Sequence, residues 1–112
     1  VAKTTRTLKI GTHDVPVRII DADELYEIIV DHGEDDNGQC PLGACTQGPE
    51  GYQILLMRGV TPQMRGVVII HEIIEAMNIM YDLNMSHHAI STLSESLVQV
   101  ERDNRKVLRA LK

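Results

Sequence analysis

Residues 69–78 read IIHEIIEAMN, and the reading of the chain turns on whether this His-Glu pair is a metal motif or an ordinary stretch of helix. Helical periodicity runs outward from it over residues 62–83, PQMRGVVIIHEIIEAMNIMYDL, with apolar side chains returning at intervals of three and four. Thr61 before Pro62 supplies an N-cap followed by proline at the first helical position, and Asn84 is a plausible stop. At about 100° per residue, Val67, Ile70, Ile73, Ile74, Met77 and Met80 share a broad apolar arc, extended by Ile69 and Ala76. His71, Glu75, Asn78 and Asp82 fall on a narrow stripe on the other side. A helix this apolar is central and largely buried, so its polar stripe faces either solvent or a cleft.

Upstream, residues 7–20, TLKIGTHDVPVRII, read as two strands around a turn at 11–14, with Pro16 marking an edge or an irregularity. In DADELYEIIV, Asp21 and Glu24 have capping-box spacing ahead of a short helix. Residues 31–51 are rich in Gly, Asp, Asn and Pro and read as a long surface loop. The run at 52–58, YQILLMR, reads as a strand between glycines. Downstream, Ser86 caps a helix starting at His87, with Ile90, Leu93, Leu97 and Val100 on its expected buried face. Asp103 and Asn104 break that helix, and a short last one carries Val107, Leu108 and Leu111.

A length of 112 residues fits a single domain, 1–112. The mixture of 43% hydrophobic and 24% charged residues is that of a globular chain rather than a disordered one. No stretch has the length of a membrane span, and the basic N-terminus is not followed by the apolar run of a secretory signal, so the expected location is the cytoplasm. A net charge of −5 argues against nucleic acid as a partner. Cys40 and Cys45 form a lone C-x4-C pair, weak as a zinc signature and unusual as a disulfide in a reducing compartment.

The polar stripe carries the chemistry. Residues four apart stand one turn apart on one helix face, so His71 and Glu75 can share a metal ion. Glu72, displaced around the helix, can stay off the metal and serve as general base toward its water. A catalytic zinc takes three protein ligands and keeps one position open, so a third ligand must come from elsewhere. The turn DLNMS folds the next helix back and brings His87 and His88 near the stripe. His87 projects beside the expected buried face and is the better candidate, whereas His88 points away. Asp82 and Glu101 remain further candidates, while His13 and His32 read as surface residues. The competing interpretation has Glu72, Glu75 and Asp82 on a solvated face with His71 at its edge, because HExxE is less specific than HExxH.

The run VVIIHEIIEAMNIMYDLNMSHHAISTLSESLVQVERDN resembles the C-terminal half of small phage- and prophage-encoded zincin-like metallopeptidases, minimal relatives of the ImmA/IrrE-type metallopeptidases. IIHE, the Met85–His87 MSH and the Gln99–Asn104 QVERDN carry the likeness, and the strand YQILLMRG ahead of the helix fits it. The resemblance implies an α+β, zincin-like fold: a small antiparallel or mixed sheet on a central HExxE-bearing helix, then a second helix and a short C-terminal one. It implies one zinc per chain on His71, Glu75 and His87, Glu72 as catalytic base, and a protein or peptide substrate. The strand at 52–58 is then the expected partner for an extended peptide. Glu75, where many zincins have histidine, makes a catalytically inactive binding or regulatory protein the alternative.

Overall fold

The computed structural model describes residues 5–31 and 42–112. Their order is β1 (Thr5–Ile10), β2 (His13–Ile20), α1 (Ala22–Asp31), β3 (Gly43–Gly48), β4 (Gly51–Met57), α2 (Pro62–Met80), α3 (His87–Asp103) and α4 (Arg105–Leu111). The result is an α+β fold with one mixed sheet of order β1-β2-β4-β3. Two antiparallel hairpins, β1–β2 and β3–β4, join through parallel pairing of β2 with β4, Val17 opposite Ile54 to Ile20 opposite Met57.

Alternation along the strands sends successive side chains to opposite faces. Val15, Cys45, Ile54 and Leu56 form one face and pack with Val68 and Ala76 of α2. Ile20, Ala44 and Leu55 form the other and pack with Leu25 and Ile29 of α1. The sheet is therefore a middle layer, with α1 and α2 on opposite sides. At one corner Asp21 accepts from Arg58 Nε at 2.9 Å, and Arg58 N–H donates to Ile20 O at 2.7 Å, tying the start of α1 to the end of β4.

Pro16 lies opposite Thr7, whereas pairing with β4 begins only at Val17. Its missing N–H therefore falls where β2 has a neighbour on one side alone, which is where a sheet tolerates proline.

Two expectations need correction. The stretch at 31–51 is not one loop, because Gly43–Gly48 is the edge strand β3. GACTQG hides this because it lacks the bulky apolar residues that mark strands. Small side chains are what the position requires: a Cβ on Gly43 would stand 2.7 Å from Val68 Cγ1 and 3.0 Å from Leu55 O. The second concerns α3, whose buried residues are Ile90 and Ser94, while Leu93, Leu97 and Val100 are exposed. α3 meets α2 through a narrower stripe, on which Ser94 returns its hydroxyl to Ile90 O at 2.6 Å.

Candidate metal centre

Thr61 Oγ1 accepts from Met64 N–H at 3.3 Å with Pro62 next in the chain, so α2 starts as its cap residues dictate. It ends at Met80 rather than Leu83. Tyr81 N–H bonds Met77 O at 2.9 Å, and Leu83 N–H reaches back to Asn78 O at 3.1 Å, across Asp82 at φ 51°. That is the six-to-one closure of a Schellman motif, with aspartate in the left-handed position that usually takes glycine. Asn84 repeats the left-handed geometry at φ 58°.

The side chain of Asn78 then closes the connection from the other end. Its Oδ1 accepts from Met85 N–H at 2.8 Å, and its Nδ2 donates to Met85 O at 3.3 Å. Next in the chain is Ser86, whose Oγ accepts from Ala89 N–H at 3.1 Å and caps α3. His87 is the first residue of that helix, so its backbone is placed by an unbroken series of hydrogen bonds from the last turns of α2.

This brings together three of the residues expected from the sequence. His71, Glu75 and His87 each present one donor atom, all within 4.8 Å of one another. Glu75 Oε1 lies 3.8 Å from His71 Nε2 and 3.9 Å from His87 Nδ1. The two imidazole rings meet edge to face, with centroids 5.1 Å apart. Donors at about 2.1 Å from a tetrahedral zinc stand about 3.4 Å apart, so modest side-chain rotations close the set on an ion. His71 and Glu75 are partly buried, while His87 is 75% exposed and keeps the site open to solvent.

The electrostatics agree with a set of donors for a cation. Burial, and secondarily the nearby His87, lowers the pKa of His71, leaving it neutral with a lone pair to offer. Burial raises the pKa of Glu75, with His87 opposing the shift. Its carboxylate is therefore costly to hold charged in the bare site, and a cation among the three donors offsets that cost.

The other expected residues lie elsewhere. Glu72 is only 6% exposed and shares the sheet-facing side of α2 with Val68 and Ala76, against β3: its Cγ lies 3.4 Å from where a Cβ on Gly43 would be. Asp82 is exposed in the Schellman turn and does not join the donor cluster, and His88 is exposed on α3. Glu101 pairs with Arg105 at 3.4 Å. His13 packs edge-on against Tyr52 at 5.4 Å. Cys45 is buried in the core beneath α2, and Cys40 and His32 lie outside the described residues. Asn78 is the residue whose part the sequence left unspoken. Its signal was a polar side chain on the His71 stripe just ahead of a turn without glycine.

Compared with protein-family models, curated proteins and solved structures, the chain matches none of them.

Proposed function

We propose that the chain is a metal-dependent hydrolase acting on peptides or proteins, with one zinc held by His71, Glu75 and His87. The observation that carries this reading is the convergence of two imidazoles and one carboxylate, from two helices, with all donor atoms within 4.8 Å. Two imidazoles and a carboxylate are a ligand set of catalytic zinc sites, which leave a fourth position open. The likeness of IIHE, MSH and QVERDN to zincin-like metallopeptidases supports the same reading. Zinc in such a set supplies Lewis acidity and makes water a nucleophile at neutral pH. Glu72, next to His71 in the chain, would be the base that accepts a proton from that water and returns it to the leaving amine, which requires its side chain to turn from Gly43 toward the site.

A peptide substrate docks on β3 rather than on the expected strand at 52–58. β4 is paired on both sides, whereas β3 is the edge strand of the sheet. Met57 N–H bonds Leu42 O at 2.9 Å. By the alternation of an antiparallel ladder, Gly43 and Gln47 then turn their N–H and C=O groups outward. An extended peptide added to that edge runs beside Gly43, the residue against which Glu72 packs.

One observation favours a second reading, a non-catalytic protein that keeps the metal for binding or structure: Glu72 is 6% exposed, deep for a base that must meet water. Elemental analysis of wild type, His71→Ala and His87→Ala tests the site, and peptide hydrolysis by Glu72→Gln separates the readings. About one zinc per chain, lost in both histidine variants, is expected. Glu72→Gln is expected to keep its metal and lose turnover by about a hundredfold or more. No bound metal after zinc loading overturns the proposal, and a metallated wild type without hydrolase activity favours the second reading.

A further inference from the structure

We infer that the outer face of α3 and α4 is the surface through which two copies of this chain pair, with their helices antiparallel. The face is apolar and regularly spaced: Leu93, Leu97, Val100, Val107 and Leu111 are all exposed. Their intervals of four, three, seven and four residues follow the alternating spacing of a helix-pairing seam, with Asn104 filling the remaining position. Asn104 already donates to its own Val100 O at 2.9 Å, and Leu108 N–H bonds Asn104 O at 2.9 Å, so helical structure resumes directly after the break.

α4 extends the same uncovered surface: none of its residues is buried, and its principal neighbour is α3. The radius of gyration, 14.6 Å, exceeds the roughly 13 Å of a compact chain of this length.

Charge says which partner fits and in which direction. From His87 to Glu101 the chain carries Glu95 and Glu101 and no lysine or arginine. From residue 102 onward it carries Arg102, Arg105, Lys106, Arg109 and Lys112 against Asp103 alone. A parallel pair sets like charge against like. An antiparallel pair sets the acidic half of each copy against the basic half of the other, and its two-fold symmetry makes one surface complementary to itself.

Sedimentation of the full chain in EDTA tests this independently of the metal site. The wild type is expected to be a dimer. Leu97→Glu and, separately, Leu111→Glu (its side chain is 78% exposed, so the fold does not depend on it) are expected to weaken pairing by about a hundredfold with unchanged circular dichroism. Arg105→Glu with Arg109→Glu, and Glu95→Lys with Glu101→Lys, each weaken self-pairing, and mixing the two restores a dimer. A monomeric wild type, or a dimer indifferent to both leucine changes, overturns the proposal. Charge variants that self-pair as tightly as wild type overturn the antiparallel arrangement. A monomer that binds phosphatidylserine vesicles through the same leucines assigns the face to a membrane surface instead.

Discussion

In the metal-free chain His71 holds its proton less tightly than an ordinary histidine, because its ring is partly buried and His87 stands beside it. The unfolded chain takes up that proton near 6.5, the folded chain only at lower pH. The contribution of His71 to stability is thus fully present above 6.5 and is lost as pH falls from there through its folded value. Glu75 has the opposite sign: its cost as a buried carboxylate applies above its raised folded value and is relieved as pH falls toward the ordinary 4.5. Urea midpoints followed downward from neutral pH are expected to fall first for wild type and to fall less for His71→Gln. Equal slopes would remove His71 as the cause. Asn78 bears on the proposed site without touching the side chains of His71, Glu75 or His87. Replacing it with Ala frees Met85, and with it the start of α3, so if zinc binds as proposed its affinity is expected to drop about tenfold to a hundredfold, the range typical of lost supporting bonds around a metal. Asn78→Asp can still accept from Met85 N–H and is expected to recover part of the loss in a competition titration with a chromogenic chelator.

Each element carries a different share of its reasons in its own residues. α2 does so plainly: Thr61-Pro62 starts it, its apolar arc buries it, and the i, i+4 placement of His71 and Glu75 sets two donors on one side. β3 does not, since GACTQG becomes a strand by pairing with β4 and by letting α2 come close. A larger residue at 43 must displace Val68 or the Leu55 carbonyl, which stand 2.7 and 3.0 Å from a Cβ there. Gly43→Val is therefore expected to destabilise the fold by about 1–3 kcal/mol, read as a lower urea midpoint with unchanged slope, whereas an unaffected midpoint would mean that α2 yields at no cost. α3 falls between these cases. Ser86 and the helical phase identified His87, yet the same phase argument placed Leu93, Leu97 and Val100 inside. Periodicity finds the apolar stripe of a helix, but it does not say whether the surface that covers the stripe belongs to the same molecule.

Across the whole molecule, the α+β class implied by the resemblance agrees with the strands and helices found, and the likeness in the second half pointed to the donor set. What stayed hidden was whatever long-range contact decides: the parallel seam of β2 with β4, the edge position of β3, and the burial of Glu72 against Gly43. No described helix is long and apolar enough to cross a membrane. The connection from α2 to α3 spans residues 81–86. Leu83, Asn78 and Ser86 close it with the chain's own hydrogen bonds, so the helices that carry His71, Glu75 and His87 are tied together by the polypeptide itself. A site shaped in this way differs from a zinc finger, whose binding energy is its folding energy. If the proposed site takes a metal, the ion would be a late arrival to a finished protein, and its loading and exchange could follow supply without the chain unfolding each time it leaves.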